Sequence, residues 1–319
     1  MNRRPLFPFV ISLLLVACAD PPGESSSGGV GGSTSATSAT SSGATTSTSA
    51  STTGTGTPGE KTVTIAMDSF EIAPGGEVYK CQNFANPFGG DVEVSAFESH
   101  MTGGSHHLLL FYEDDAVDGA LEDCSGLEFG PTPYSTQLAD DTVDFPAGVA
   151  AAIPTSKGLR LQSHYLNTTS EPITAQVKMT FHLAVPGTVT DHAGVLFVVQ
   201  PFIVVQPNST KDIKYSCNLP LDMSVIKTAS HMHKHGTKFV STVAGEPFYE
   251  TDTWDEPKPA RFDPPRQLHA GDPLNFTCTF VNTSPDTLTF GESAGSNEMC
   301  ILVASFYPAP AGQPTVTCQ

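Results

Sequence analysis

The chain has 319 residues, of which 33 are acidic and 15 are lysine or arginine, and its formal net charge is −18. No basic cluster is present that could neutralise a row of phosphates, which argues against a nucleic-acid partner. From Lys61 onward the length suits two domains of about 130 residues each.

Residues 1–18 have the pattern of a bacterial export signal. Two arginines precede an apolar run from Leu6 to Ala17 that is too short to serve as a stable membrane anchor. The run ends in "LVAC", which resembles the bacterial lipobox, where the cysteine is lipidated and the signal is cut just before it. We therefore expect an exported lipoprotein anchored through Cys18 to a membrane, on the periplasmic or cell-surface side of the outer membrane. The alternative is an ordinary signal peptide with a chance cysteine.

Residues 19–60 consist almost entirely of Ser, Thr, Gly, Ala and Pro. Such a segment buries too little apolar surface to offset the entropy of ordering, which predicts a disordered tether. A tether of this kind suits a folded body held away from a membrane.

The remainder of the chain predicts an all-β protein. Short runs of alternating polarity dominate, and no sustained period of 3.6 residues appears; examples are "KTVTIAM", "HHLLLFY", "LRLQSHYLN", "AQVKMTFHLAV" and "LNFTCTFVN". We expect antiparallel β-sandwiches, divided near "PGTVTDH" into residues 61–189 and residues 190–319. The alternative is a two-sheet protein with one continuous core.

Six cysteines follow Cys18, which is an even number for an exported chain, and none lies in the CxxC spacing of zinc sites. Three disulfides are therefore expected.

The stretch "KTASHMHKHGTKF" concentrates three of the ten histidines. On a strand, residues two apart share a face and lie roughly 6.6 Å from each other, close enough for two imidazoles to bind one metal ion. His231 and His233 fit this geometry. His235 precedes Gly236, where a strand would end, so a shared orientation is less certain for it.

Three further segments strengthen a metal-binding interpretation. In "GGSHHLLLFY", His106 and His107 follow glycines at a strand entrance, where irregular backbone could turn both side chains toward one ion. In "LRLQSHYLN", His164 lies on the more polar face. Met299 precedes an apolar strand in "GSNEMCILV", where core filling is the usual role of methionine. A thioether joined by two imidazoles is nevertheless a ligand set suited to copper.

The order "HHLLLF", "LQSHYLN", "SHMHKHG" and "NEMCILV" closely resembles the type II copper, ascorbate-dependent monooxygenases, the group that includes peptidylglycine α-hydroxylating and dopamine β-monooxygenases. The resemblance extends from about residue 61 to Cys318. It implies two tandem, jelly-roll-like β-sandwich domains, each holding one of two copper ions across a solvent-filled cleft.

Residue roles follow from that resemblance. It implies an electron-transfer copper bound by His106, His107 and His164. It implies a second, oxygen-activating copper bound by His231, His233 and Met299. Gln162 and Tyr165, which flank His164, would orient that imidazole or simply pack in the strand. The implied disulfides are Cys81 with Cys124, Cys217 with Cys318, and Cys278 with Cys300.

The implied reaction is hydroxylation of an activated C–H bond by O2, with ascorbate or another one-electron reductant as co-substrate. Peptide-amidating members carry an arginine and a tyrosine that hold a substrate carboxylate, at the positions occupied here by Ala229 and Val303. The sequence therefore does not identify the substrate, which we expect to be a small organic molecule or a peptide.

Two other functions would use some of the same residues. A copper-sequestering surface lipoprotein without turnover would retain the same ligands. A zinc hydrolase is disfavoured because methionine suits zinc poorly and no HExxH arrangement is present. Among the other histidines, His182, His192 and His269 are expected at the surface, and His100 is a minor candidate for the first copper.

Overall fold

The structure is a computed structural model that describes residues 61–128 and 130–318. The predicted signal, the predicted lipidation at Cys18 and the predicted tether of residues 19–60 lie outside the described residues. Among the described residues, no helix is long and apolar enough to cross a bilayer.

Thirteen strands precede Ala193, in what we call the N-terminal half, residues 61–192. They are β1 (Lys61–Ala66), β2 (Phe70–Ile72), β3 (Glu77–Phe84), β4 (Val92–Met101), β5 (Ser105–Asp114), β6 (Glu122–Asp123), β7 (Tyr134–Thr136), β8 (Asp140–Asp144), β9 (Val149–Ile153), β10 (Lys157–Leu166), β11 (Ile173–Ala175), β12 (Val177–Leu183) and β13 (Asp191–His192).

Eleven strands follow in the C-terminal half, residues 193–318. They are β14 (Gly194–Val199), β15 (Val204–Val205), β16 (Ser209–Asn218), β17 (Met223–Met232), β18 (Gly236–Val243), β19 (Glu246–Thr251), β20 (Ala260–Leu268), β21 (Pro273–Asn282), β22 (Leu288–Thr289), β23 (Cys300–Tyr307) and β24 (Thr315–Val316). The predicted all-β class is confirmed.

Each sheet of the described chain draws its strands from one half. The N-terminal half pairs strands in the orders β1-β12-β4-β9-β13, with β8 also on β4, then β6-β3-β10-β5-β7, and β11-β2. The C-terminal half has the orders β20-β17-β23-β14-β24, β16-β21-β18-β19 and β15-β22. Nearly all neighbours are antiparallel, which is the pairing expected when short loops join successive strands.

Sequence alternation produces these sheets. In β12, Val177, Met179 and Phe181 are buried while Lys178 points to solvent, so one face meets the core and the other meets water. Comparable faces build two buried apolar clusters, one from residues 65–193 with Ile226 and one from residues 196–318. The predicted boundary near residue 189 stays a prediction, but it falls close to the break between these clusters.

The same type of turn, held by a buried asparagine, occurs once in each half. Asn167 follows β10 and its side-chain amide donates to carbonyls of β2 and of Glu171, at 3.0 and 2.8 Å. Asn282 ends β21 and donates to carbonyls of β15 and of Asp286, at 3.2 and 2.7 Å. Both asparagines are fully buried. The repetition of one turn, at the same spacing of four residues, fits a tandem arrangement of related folds.

Three disulfides join Cys81 to Cys124, Cys217 to Cys318, and Cys278 to Cys300. The pairing implied by the resemblance is therefore confirmed. Each bond stays within one half, and closing loops of this kind contributes about 3–5 kcal/mol each in the chain-entropy account.

Candidate metal centre

A β-bulge brings His106 and His107 to the same site. β10 pairs with β5 so that His164 lies opposite His107 and the next residue, Tyr165, lies opposite Ser105. His106 is therefore the extra residue of the bulge, and its side chain does not alternate with its neighbour as it would in a regular strand. The rings of His106 and His107 lie 5.0 and 5.1 Å from that of His164, between centroids.

The second pair of histidines comes from the end of β17. His231 lies within this strand and His233 follows it directly, with ring centroids 5.1 Å apart. His233 Nδ1 lies 3.2 Å from the carbonyl oxygen of Asn297. β17 pairs with β23, and Met299 immediately precedes that strand. Met299 is buried and lines the same pocket as His231.

The two histidine groups form one continuous cluster in this structure. The ring of His106 lies 4.8 Å from that of His231 and 5.3 Å from that of His233. His107 is 5.2 Å from His231 by the same measure. Two sets of three histidines have ligand atoms within 4.8 Å of one another, namely His106 with His107 and His164, and His106 with His231 and His233.

This packing differs from the expected solvent-filled cleft between two separated sites. The five rings are almost completely buried and touch across the two halves, so the structure does not show a cleft between them. The difference arises because apolar and hydrogen-bonded contacts place β17 and the loop at residues 292–298 against the ends of β3, β5 and β10.

Burial keeps these imidazoles uncharged. It lowers the pKa of His106, His164 and His231 well below the ordinary value, and the charges of neighbouring histidines lower it further. Burial also lowers the pKa of His107 and of His233 to about 4, against smaller opposing hydrogen bonds. Neutral imidazole is the form that binds metal ions.

The five clustered histidines could bind a metal ion through ring nitrogens that make no hydrogen bond. Among the described residues these buried nitrogens have no hydrogen-bond partner: His106 Nε2, His107 Nδ1 and Nε2, His164 Nδ1, His231 Nε2 and His233 Nε2. Buried polar atoms are rarely left without a partner, and a ligated cation would supply one. Imidazoles with a neighbouring thioether are a donor set suited to copper in either oxidation state.

Metal-free protein should lose stability on acidification between about pH 6.5 and about pH 4. Unfolded histidine has a pKa near 6.5, so below that pH the unfolded chain takes up protons that His107 and His233 do not. Each should cost about 1.4 kcal/mol per pH unit in this window, and none above it. Urea unfolding at several pH values measures the slope. The slope should fall by about 2.8 kcal/mol per pH unit in a variant with both histidines changed to alanine, while His106, His164 and His231 still contribute to it. The slope should be unchanged in His100→Ala; equal slopes in all three proteins would contradict the assignment.

Side chains around His164 hold its ring in place. Glu77 Oε1 lies 2.9 Å from His164 Nε2, and the ring of Tyr79 stacks on the imidazole with centroids 3.8 Å apart. Glu77 also accepts bonds from Ser293 Oγ at 2.8 Å and the backbone N–H of Ala294 at 2.5 Å. The carboxylate therefore leaves Nδ1 as the nitrogen of His164 that is open to a metal.

A second carboxylate organises the end of β17. Glu298 is fully buried and accepts the backbone N–H of His233 at 3.1 Å and of His235 at 2.7 Å. His235 Nδ1 lies 3.1 Å from the same carboxylate, so its ring belongs to this interaction and not to the five-histidine cluster. Burial raises the pKa of Glu298, while its hydrogen bonds to His235 and His233 lower it.

Gln162 and Tyr165, the two expected neighbours of His164, take different positions. Gln162 donates from Nε2 to the carbonyl of Ser125 at 2.9 Å, and its side chain raises the pKa of His107. Tyr165 packs edge-on against Phe70 at 5.4 Å in the N-terminal apolar cluster. Gln162 thus lies beside the candidate ligand His107, whereas Tyr165 packs in the apolar core.

The remaining histidines lie away from the cluster. His100 pairs with Asp140, with Nδ1 and Oδ1 2.6 Å apart, so it does not approach the candidate ligands. His182, His192 and His269 lie at partly or fully exposed positions, as expected.

Sequence reasoning missed four residues around the site. Glu77 and Tyr79 share a face of β3, but only the register of β3 against β10 places that face beside His164. Glu298 stands in the quoted "NEMCILV" motif without any periodic signal. Trp254, whose ring lies 5.5 Å from that of His106, comes from a loop.

A pocket opens beside the cluster. His107, His231 and Met299 line it. Ala229 and Val303 pair directly across β17 and β23 and line it as well. These are the two positions where the resemblance would place a carboxylate-binding arginine and tyrosine. This part of the pocket is therefore an apolar wall.

Buried neutral imidazoles gathered on sheet edges define the protein as an all-β candidate metalloprotein. Residues 191–319 match the family described as copper type II ascorbate-dependent monooxygenase, C-terminal domain. Residues 191–319 are therefore similar to the C-terminal domain of this family, which bears out the resemblance over that part of the chain.

Comparison with solved structures gives distant likenesses. The major capsid protein of bacteriophage PM2 is 11% identical, with 79% of this chain and 99% of that chain covered and a TM-score of 0.32. The PBCV-1 virus capsid is 9% identical, with 76% and 93% covered and a TM-score of 0.26. Similarity this weak carries no conclusion about function. No curated protein matches the chain.

Proposed function

We propose that this protein is a copper-dependent monooxygenase that hydroxylates an activated C–H bond of a small organic or peptide substrate. O2 is the oxidant, and ascorbate or a similar one-electron reductant is the co-substrate. The observation that carries the proposal is the cluster of five buried, neutral histidines beside Met299, in a chain similar to this family over residues 191–319.

The chain offers ligands for two copper ions. His106, His107 and His164 would hold one, and His231 and His233 with Met299 would hold the other. Bound copper supplies one-electron redox chemistry, by which two electrons and two protons reduce one oxygen atom of O2 to water while the other enters the C–H bond.

The protein's own residues orient ligands and exclude water. Glu77 and Tyr79 fix the ring of His164, while the Asn297 carbonyl and the Glu298 carboxylate fix the His233 segment. Burial keeps the five imidazoles neutral near neutral pH, so that each has one unprotonated ring nitrogen, and it limits the access of solvent to the reacting atoms. The nearby pocket gives a substrate direct access to His231 and Met299.

Oxygen uptake by copper-loaded protein tests the proposal. Ascorbate alone should support slow uptake, and a substrate from a panel of small molecules and peptides should raise it, with formation of hydroxylated product in proportion. Tight copper binding with no substrate-dependent uptake across the panel would favour the second candidate, a copper-sequestering surface lipoprotein, which the same ligands also allow.

Replacing His164 with alanine should remove one copper and largely spare the other. His164 belongs to only one of the two ligand sets, and its ring faces β3 and β5. Metal analysis should show about half the copper of the unchanged protein, and substrate-dependent hydroxylation should fall to background because the second electron is not supplied. Loss of both coppers would contradict the division of the ligands.

We also propose that the protein is exported and held to a membrane through lipid at Cys18. Three disulfides in the described residues support an oxidising compartment. Metabolic labelling with a fatty acid should mark the full chain and not a Cys18→Ala variant; equal labelling would exclude Cys18 as the site.

A further inference from the structure

A buried lysine lines the pocket beside the candidate ligands. Lys227 lies on β17 and is 6% exposed, and it shares its strand face with Ala229 and His231 at intervals of two residues. All three line the pocket. The register against β23 is regular from Lys227 to His231, so four residues separate them by about 13 Å along the strand.

The walls between these two points are mainly apolar. Leu109, Leu138, Phe197, Ala229, Ile301 and Val303 all line the pocket. Glu128 also lines it but is paired with Arg160, whose Nε lies 3.1 Å from Glu128 Oε2. The pocket therefore combines mainly apolar walls with one cationic side chain, Lys227, at the far side from the histidines.

Among the described residues, the Lys227 ammonium has fewer acceptors than donors. Asp141, whose side chain is fully buried, accepts a short hydrogen bond from Lys227 Nζ and another from Arg261 at 2.8 Å. Two cations thus face one anion. An ammonium carries three donors, and Asp141 is the one acceptor that the described residues give Lys227.

The two donors of the Lys227 ammonium that lack an acceptor among the described residues are costly in a buried position unless something further accepts from them. A carboxylate entering the pocket would accept a remaining donor of Lys227 in a charge-assisted hydrogen bond.

We propose that the pocket binds a small organic carboxylate with an apolar body, its carboxylate on Lys227 and its chain running along β17 toward His231 and Met299. That this carboxylate is the substrate of the enzyme rests on the proposed function. About 13 Å between Lys227 and His231 suits an extended apolar body of several carbons, and it places the activated C–H bond at the end remote from the carboxylate.

Binding of a matched ligand series tests this assignment. Octanoate, octanamide and octylamine share an apolar chain and differ in the charge of the head group. Copper-free full-length protein is used, so that a carboxylate cannot bind through the metal. The single tryptophan, Trp254, is a built-in fluorescent reporter because its ring contacts His106 and its carbonyl accepts a bond from Gln137, which lines the pocket.

Octanoate should bind at least about tenfold more tightly than octanamide, and octylamine should bind most weakly. The test variant is Lys227→Met combined with Asp141→Asn, because the lysine change alone would leave a buried carboxylate short of a partner. This variant should lose the preference for octanoate while keeping its affinity for octanamide. Arg261→Gln, at a half-exposed side chain, should keep most of the preference.

Equal binding of octanoate and octylamine, or an undiminished preference in the double variant, would overturn the assignment. A preference that depends on Arg261 and not on Lys227 would overturn it as well. The result is independent of turnover. If octanoate binds as expected and copper-loaded protein still consumes no oxygen with any carboxylate, the monooxygenase proposal fails while the binding site stands.

Discussion

His106→Ala should lower copper binding more than any other single substitution among the candidate ligands. His106 is the one histidine that belongs to both sets of metal-capable residues, and its ring lies within 5.3 Å of those of His164, His231 and His233. Loss of residues around a ligand already lowers metal affinity by about 10–100-fold, so loss of His106 as a ligand of the first copper should exceed that. It should also weaken the second copper, because the His106 ring packs against His231 and His233. Hydroxylation should fall to background.

Equilibrium dialysis against a competing chelator, followed by metal analysis, measures this effect. His164→Ala provides the comparison within the site, because it should affect one set of ligands only. His100→Ala provides the control outside it, since that exposed histidine pairs with Asp140. A His106→Ala protein that loses one copper and binds the other with unchanged affinity would show that the two ligand sets are independent.

Met299→Ile should abolish hydroxylation while copper remains on His106, His107 and His164. Isoleucine has nearly the volume of methionine, so the buried position should stay packed at a cost below about 1.5 kcal/mol. What is lost is the soft sulfur atom, which favours the cuprous state. Without it the ion at His231 and His233 should be poorly retained once ascorbate has reduced it.

X-ray absorption of reduced protein should detect a sulfur neighbour of copper in the unchanged chain and none in this variant. Met223→Ile is the matched control, because that methionine is equally buried in the C-terminal apolar cluster. Full activity of Met299→Ile would remove Met299 from the site, and loss of activity in both variants would point to packing instead of ligation.

The alternation of polar and apolar residues was sufficient to predict the all-β class, because it marks the buried and exposed faces within each single strand. The faces of β12 could be read from Val177, Met179 and Phe181 without knowledge of any partner strand. Histidine positions could be predicted for a similar reason, since local spacing and the order of motifs carry them. The cysteine pairing needed the resemblance, because spacing alone leaves several connectivities open.

Register and loop placement could not be predicted in the same way. The bulge at His106, the proximity of Glu77 to His164 and the pairing of Ala229 with Val303 depend on how strands align across the chain. The joining of two expected copper sites into one histidine cluster depends on contacts between the halves. Lys227 gave no sequence signal because a single lysine on a strand is ordinarily solvated.

The position of Glu77 has a consequence for cooperation between the halves. Its carboxylate touches His164 in one half and receives hydrogen bonds from Ser293 and Ala294 of the other. Any hinge-like separation must break the latter bonds, freeing the carboxylate to reorient and loosening its hold on the imidazole. The affinity of the proposed copper at His164 would thereby depend on contact between the halves, and by reciprocity an ion bound there would stabilise that contact.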